Sequence, residues 1–203
     1  MTTYGDTKYW DDRYLKDTDE FEWYQGYDSL KSILSQYVKR DDHILIVGCG
    51  NSNITGDMYK DGYKYITNID ISSVCIQQMK TKYASTPEIQ WDVMDVCHMT
   101  YSDESFDFIF DKGTMDAILC SDNDQEACSS ALKEILRVLK PNGIYFNMTY
   151  GIPSNRMCYF NIPPFQVTHE QVLKPQLQNI PGSVDDAHRY HHMYICKKIT
   201  SKE

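Results

Sequence analysis

Aliphatic stretches of strand length alternate with amphipathic stretches of helix length along most of the chain, a pattern that predicts an α/β fold. Residues 1–25 break the pattern: they are aromatic and charged with little periodicity, so we predict an N-terminal arm laid over the core. The predicted strands are 43–47, 65–70, 89–93, 106–111 and 144–149, then a short strand at 165–169 and a last, antiparallel strand at 190–198.

Apolar residues at helical spacing, each set preceded by cap residues, predict the helices. The predicted helices begin after a cap at Asp28 or Ser29, near residue 52, after a cap at Ser72 or Ser73, and near residue 124. The segment 151–187 contains five of the seven prolines and is predicted to be mostly loop.

A glycine turn lies between the first strand and the first helix that follows it. Gly48 and Gly50 stand directly after an aliphatic strand, and Asp70 ends the next strand about twenty residues later. Two glycines let the backbone turn sharply and approach a ligand, while a carboxylate at a strand end can accept both hydroxyls of a ribose. The pattern predicts an adenosine site at Gly48, Gly50, Asp70 and the neighbouring Ile71. The alternative for Asp70 is the N-cap of the following helix.

The residue three positions after the second glycine separates two classes of cofactor. A dinucleotide site requires a third glycine there, so that helix and strand can pack closely against each other. This chain has Asn53 at that position. Asn53 therefore disfavours a nicotinamide-dependent reductase.

The composition of the chain limits the classes of partner that we expect it to bind. Its 203 residues suit one α/β domain, and 29 acidic against 20 basic residues give a net charge of −9. Such a field attracts cationic partners and repels polyanions, so we expect a basic protein substrate and no nucleic acid. We also expect a monomer.

Other patterns argue against secretion, membranes and metals. The N-terminus lacks the features of a secretory signal, and no apolar run approaches membrane-spanning length, so we expect a cytoplasmic protein without membrane contact. The seven cysteines are scattered without a metal-binding pair. His188, His191 and His192 lie near one another, but adjacent residues of a strand point to opposite faces, and we expect no metal.

Three later stretches, in order, carry a resemblance to a known family. They are Met94-Asp95-Val96, the run FDFIFDKGTMDAIL that begins at residue 106, and the run EILRVLKPNG that ends at residue 143. With the glycine turn, they resemble the class I S-adenosylmethionine-dependent methyltransferases. The opening run YWDDRY and Trp23 are similar to the subgroup of lysine methyltransferases that act on translation elongation factor 1-alpha. The resemblance covers residues 8 to 150 well.

The resemblance implies a fold and a domain organisation. The expected fold is a Rossmann-like α/β sheet of seven strands, mostly parallel with an antiparallel last strand and helices on both faces. Residues 1–25 would form an arm that covers the cofactor site, and residues 26–203 a single methyltransferase domain.

The resemblance also implies roles for individual residues. Asp95 would accept a hydrogen bond from the adenine amino group and the Val96 amide would meet the ring, although Asp95 could also be a plain turn carboxylate. Trp10, Tyr14 and Trp23 would fold over the cofactor, or alternatively form an aromatic cluster that anchors the arm.

Two residues at the end of the fourth strand complete the predicted site. Lys112 would contact the cofactor, the alternative being a surface lysine paired with a carboxylate. Asp111 would orient the incoming amine as the catalytic residue. We expect a cytoplasmic protein-lysine methyltransferase that uses S-adenosylmethionine, releases S-adenosylhomocysteine and acts on elongation factor 1-alpha. A small-molecule methyltransferase and a non-catalytic cofactor-binding scaffold remain alternatives.

Overall fold

The computed structural model describes residues 4–121, 124–177 and 187–200. These ranges contain seven α-helices, seven strands and two short 3-10 helices, Pro175–Leu177 and Ala187–Arg189. The helices are α1 (Thr7–Lys16), α2 (Tyr27–Leu34), α3 (Ile54–Lys60), α4 (Ser73–Lys82), α5 (Thr114–Ile118), α6 (Asp124–Val138) and α7 (Pro153–Phe160). The strands are β1 (Ile44–Val47), β2 (Ile66–Asp70), β3 (Gln90–Val93), β4 (Phe106–Lys112), β5 (Leu139–Thr149), β6 (Phe165–Leu173) and β7 (Tyr190–Lys198).

All seven strands form one sheet in the order β3-β2-β1-β4-β5-β7-β6. The first five are parallel, whereas β7 is antiparallel to both of its neighbours, β5 and β6. This arrangement confirms the predicted fold, including the antiparallel last strand. The carboxyl ends of the parallel strands meet at one edge of the sheet, where ligands bind in open α/β sheets.

Strand β1 shows why the sheet is covered on both faces. Its four residues are all buried and alternate between two hydrophobic clusters: Ile44 and Ile46 belong to one, Leu45 and Val47 to the other. The first cluster contains side chains of α1 to α4, and the second contains side chains of α5 to α7.

The arm is more ordered than its sequence predicts. It contains α1, whose N-cap Asp6 accepts a hydrogen bond from the Lys8 amide at 2.9 Å and whose only buried residue is Tyr14. A single buried position leaves no apolar stripe to detect. The predicted cap of α2 is also wrong, because the helix already begins at the buried Tyr27, with Gly26 as its N-cap.

The segment predicted as mostly loop contains regular structure. Pro153 opens α7, where the missing N–H of proline costs nothing, and β6 extends to Leu173 because it pairs with β7 along its whole length. Residues 178–186 of that segment lie outside the described ranges. In those ranges, no helix combines the length and apolar character needed to cross a membrane.

Candidate functional site: a cleft along the carboxyl edge of the sheet

A cavity of about 540 Å³ runs along the carboxyl edge of the sheet, beneath the arm. This cleft meets every strand end in turn. In sheet order its lining includes Val96, Asp70, Gly48, Lys112, Tyr150, His191 and Lys174. Six inter-strand steps of about 4.8 Å give the edge a length of about 29 Å. The cleft is therefore long enough to divide into two parts, which we call the nucleotide end (β3, β2 and β1) and the acceptor end (β5, β7 and β6).

The glycine turn depends on its glycines for two reasons. Gly48 and Gly50 both have φ +55°, a conformation that side-chain-bearing residues rarely adopt. A Cβ at Gly48 would also overlap the side chain of Thr114, whose hydroxyl donates to the Val47 carbonyl at 2.8 Å. Both glycines line the cleft, as predicted.

Asp70 is buried at the base of the nucleotide end, and Ile71 lines the cleft beside it. Its two carboxylate oxygens accept hydrogen bonds from the amides of Gly50 and Ser72, each at 2.9 Å. Burial nevertheless raises the pKa of Asp70 to about 6. The N-cap of α4 is Ser72 and not Asp70, so the alternative prediction of Asp70 as the N-cap is wrong.

Asp95 and Val96 follow β3 and also line the cleft. The Asp95 carboxylate accepts a hydrogen bond from the Cys97 amide at 2.8 Å, a local turn that leaves the side chain partly exposed. Both roles considered for Asp95, turn carboxylate and cleft residue, are therefore compatible with its position.

The aromatic residues of the arm lie over this end of the cleft. Trp10, Tyr14 and Trp23 all line it. Trp10 stacks on Tyr14 with ring centroids 6.0 Å apart, and its indole N–H donates to the Tyr4 carbonyl at 2.7 Å. Trp10 and Tyr14 thus form an anchored pair, and Trp23 packs instead against Phe21 and Tyr24. The lining position of all three is compatible with a role over the cofactor, which stays a prediction.

Lys112 is buried rather than on the surface. Its ammonium donates to a Glu22 carboxylate oxygen and to the Trp23 carbonyl, both at 2.9 Å, and burial lowers its pKa. The side chain therefore lines the cleft while bound to the arm.

Asp111, predicted to orient the incoming amine, lies below the cleft. It is 1% exposed and is not among the described residues that line the cleft. Its carboxylate accepts hydrogen bonds from the amide of Thr114 at 2.8 Å and from the hydroxyl of Tyr145 at 2.7 Å. These contacts stabilise the start of α5, and burial raises the pKa of Asp111 to about 6. This position favours a structural role for Asp111, and the catalytic role stays a prediction.

Asp116 is the acidic side chain of this region that does line the cleft. It accepts hydrogen bonds from the Tyr24 hydroxyl at 2.7 Å, the Thr149 hydroxyl at 2.5 Å and the Arg156 guanidinium at 2.7 Å. Sequence reasoning missed Asp116 and Tyr24. The available signal was an acidic residue among the apolar residues of α5, one turn after the glycine that precedes the helix.

The histidines of β7 lie on opposite faces, as predicted. The His191 ring lines the cleft against Tyr24, with centroids 4.9 Å apart, and its Nδ1 lies 3.3 Å from the Gln25 side-chain nitrogen. Burial, reinforced by Lys174, lowers the pKa of His191 to about 4, so the ring is neutral near pH 7. The Nδ1 atom of His192 instead lies 2.9 Å from Nε2 of His169 on the neighbouring strand β6. Among the described residues no cluster of three His, Cys, Asp or Glu side chains could hold a metal ion.

Comparison with known proteins identifies the family. A family described as "Methyltransferase domain" matches residues 45–147, which include the glycine turn, Asp70, Asp95 and β4. The chain therefore belongs to the methyltransferase-domain family, as a class I S-adenosylmethionine-dependent methyltransferase. A solved structure of an S-adenosylmethionine-dependent methyltransferase from Methanosarcina mazei has the same fold, with a TM-score of 0.66 at 20% identity over 83% of this chain and 98% of that one.

Two curated relatives match a larger share of the chain than the family does. EEF1A lysine methyltransferase 4 of Bos taurus is 32% identical over 167 residues, which cover 77% of this chain and 66% of that protein. The eEF1A lysine and N-terminal methyltransferase homolog of Drosophila pseudoobscura pseudoobscura is 40% identical over 147 residues, 70% of this chain and 22% of that protein. The chain thus spans about two thirds of the first relative and about a fifth of the second.

The residues of the cleft fit S-adenosylmethionine, the cofactor of this class. A buried carboxylate that accepts only backbone amides remains available to a ribose, and Gly48 and Gly50 of the turn beside it have no side chain that would obstruct a ligand. The volume of the cavity is also in the range typical of small-molecule sites.

Proposed function

We propose that the chain is a protein-lysine methyltransferase that methylates elongation factor 1-alpha. In this proposal Asp70 binds the ribose and Asp95 and Val96 bind the adenine. The glycine turn, Ile71, Trp10, Tyr14 and Trp23 enclose the rest of the cofactor. Support for the substrate comes from the two relatives, which are named for that activity.

The shape of the acceptor end is the observation that supports a macromolecular substrate. Tyr150 lines the cleft there and is 52% exposed, so the acceptor end reaches the surface, whereas Asp70 at the nucleotide end is 6% exposed. A side chain that projects from a folded protein can enter such an opening. Its aromatic rings, Tyr24 and Tyr150, suit the long apolar stem of a lysine.

The chemistry requires orientation more than acid or base groups. S-adenosylmethionine, when bound, supplies an activated methyl group for direct displacement by a neutral amine. The neutral ring of His191 adds no positive charge that would repel the lysine. Asp116 is held by three donors and orients Tyr24 at the wall of the acceptor end. These groups align the amine, which by itself can supply several kcal/mol of the barrier reduction.

Charge and location accord with this substrate. The net charge of −9 favours a basic protein partner over a nucleic acid. We further propose that the protein acts as a monomer in the cytoplasm.

The test is transfer of a labelled methyl group into purified elongation factor 1-alpha and into a cell lysate, resolved by gel. We expect one labelled band, lost in Asp70→Ala and retained in Asp57→Ala, which changes a partly exposed residue of α3 whose partner is the exposed Lys60. Mass spectrometry should locate the label on lysine. Label confined to small molecules would favour a small-molecule methyltransferase, and cofactor binding without any transfer would favour a scaffold.

A further inference from the structure

The arm is fastened to the core by the residues that follow the second glycine of the turn. The Asn51 side chain donates to the Asp19 carbonyl at 2.6 Å, and the Ser52 hydroxyl lies 2.7 and 2.8 Å from the two carboxylate oxygens of Glu22. The Asn53 amide donates to Glu22 at 2.6 Å. Three consecutive residues of the cofactor-binding loop therefore bind the arm.

Glu22 joins this loop to the end of β4. One carboxylate oxygen accepts from Ser52 and Asn53, and the other accepts from the Lys112 ammonium at 2.9 Å. The Lys112 side chain is 8% exposed and that of Glu22 is 29% exposed. A lysine this deeply buried needs a charge partner, and removing the partner of a buried ion pair is costly.

The same ammonium fixes the next residue of the arm. Lys112 also donates to the Trp23 carbonyl at 2.9 Å, and the Gln25 amide donates to that carbonyl at 2.8 Å. Tyr24, between them, has φ +64°, an uncommon backbone conformation for a residue with a side chain. The contacts of Glu22 and Lys112 thus precede a strained turn that places Trp23 and Tyr24 in the wall of the cleft.

We propose that Glu22 is a positioning residue for the cofactor site. With Lys112 it forms a clasp, defined here as the Glu22–Lys112 pair with Ser52 and Asn53, that holds the arm closed over the cleft. Lys112 then acts on the cofactor through the arm rather than by direct contact. This inference rests on the cofactor half of the proposed function and is independent of the substrate.

A nearby residue of the arm provides a matched control. Glu20 pairs with Lys82 at 2.6 Å and accepts from the Asn53 side chain, but its side chain is 54% exposed. Exposed ion pairs contribute little, because water screens them and ordering two long side chains costs entropy. Glu20→Gln removes the same charge from the same segment and leaves every hydrogen bond of Glu22 in place.

The test measures binding of S-adenosylhomocysteine by calorimetry, so that it does not depend on a methyl acceptor. Glu22→Gln should weaken binding at least 10-fold, whereas Glu20→Gln should change it less than 2-fold. Glu22→Asp, one methylene shorter, cannot span the loop and Lys112 together and should give an intermediate loss; it also serves if Glu22→Gln fails to fold. Unchanged or tighter binding by Glu22→Gln and Glu22→Asp would overturn the proposal.

A double variant separates the clasp from direct contact. If Glu22 and Lys112 act as one unit, Glu22→Gln with Lys112→Met should bind no more weakly than the weaker single variant. If Lys112 touches the cofactor independently, the two losses should multiply, and the proposal is wrong. Trypsin cleavage at Arg13 and Lys16 of α1 should accelerate several-fold in Glu22→Gln and not in Glu20→Gln. A purely structural role for Glu22 would lower the stability of the whole domain without this selective opening of the arm.

If the proposed substrate is wrong, the experiments give a result different from the one that overturns the clasp. A protein that binds S-adenosylhomocysteine through the clasp but leaves elongation factor 1-alpha unlabelled would retain this inference and lose the proposed substrate. In an active preparation, saturating S-adenosylmethionine should restore the turnover of Glu22→Gln to within 2-fold of wild type. A turnover that stays low at saturating cofactor would place Glu22 in the chemical step and overturn the positioning role.

Discussion

The Tyr24 hydroxyl donates a hydrogen bond of 2.7 Å to the carboxylate of Asp116, across 92 positions of sequence. The bond joins the arm to α5 at the acceptor end of the cleft. Asp116 is held from two other directions by Thr149 and Arg156, so it presents a rigid acceptor to the arm. Burial beside Asp116 raises the pKa of Tyr24, which therefore stays protonated as the donor.

Replacing Tyr24 by phenylalanine should weaken binding of the methyl acceptor more than binding of the cofactor. Tyr24→Phe keeps the ring against His191 but removes the bond to Asp116, leaving a buried carboxylate with one donor fewer. We expect the KM for the protein substrate to rise about 3- to 10-fold, corresponding to the roughly 1 kcal/mol of one hydrogen bond. Binding of S-adenosylhomocysteine should stay within 2-fold. Equal losses in the KM for the protein substrate and in the binding of S-adenosylhomocysteine would contradict a role for Tyr24 that is specific to the methyl acceptor.

Two substitutions at Asp111 distinguish a structural from a catalytic carboxylate. Asp111→Asn keeps an acceptor for the Thr114 amide and a polar partner for Tyr145, so methyl transfer should remain within about 5-fold of wild type. Asp111→Ala leaves those buried donors without a partner and should lower the free energy of unfolding by about 2 to 4 kcal/mol. Chemical denaturation and initial rates measure both effects. Abolished transfer in a folded Asp111→Asn would restore the catalytic role.

The buried Asp70 should make stability fall as pH rises. Its pKa is about 6 in the folded protein and about 3.9 in an unfolded chain, so between these values the folded state holds the extra proton. The free energy of unfolding should therefore decrease through this window, by about 1 to 3 kcal/mol for this group. Asp70→Asn cannot ionise, so its free energy of unfolding relative to that of wild type should rise as the pH increases from about 4 to about 7.

The same variant should also bind the methyltransferase product more weakly. An amide offers one acceptor where an ionised carboxylate can receive both ribose hydroxyls, so Asp70→Asn should bind S-adenosylhomocysteine at least 10-fold more weakly. Urea denaturation from pH 4 to 7 and calorimetry at pH 7 test both halves. Asp57→Asn, at a partly exposed position of α3, should stay within about 0.5 kcal/mol of wild type at every pH. A difference in the free energy of unfolding between Asp70→Asn and wild type that did not vary with pH would contradict the argument.

Much of the fold could be predicted because its signals are local. β1 is a short aliphatic run, β2 contains two isoleucines before the carboxylate that ends it, and β7 was predicted with the bounds that the structure has. The predicted positions of Gly48, Gly50 and Asp70 on the cleft follow from the βαβ unit itself, which brings two adjacent strand ends together. The family followed from the order of several such local motifs.

Other features could not be predicted because their cause is distant in sequence. α1 shows one buried residue and no periodic face, so its stability depends on contacts with α4 that no local window contains. Asp111 and Asp116 are both acidic residues near the end of β4. Tyr145 binds Asp111 below the cleft, whereas Tyr24 of the arm binds Asp116 in the cleft lining, and the local sequence does not reveal this difference.

The sequence by itself thus determined the strands, the glycine turn and the class of enzyme, since hydrophobic periodicity and turn chemistry act between neighbours along the chain. Only the tertiary structure decided which carboxylates reach the cleft and that the arm is held over it by Glu22 and Lys112. Those contacts join residues 90 positions apart. Burial sets their strength, and burial exists only once the sheet and the arm have packed together.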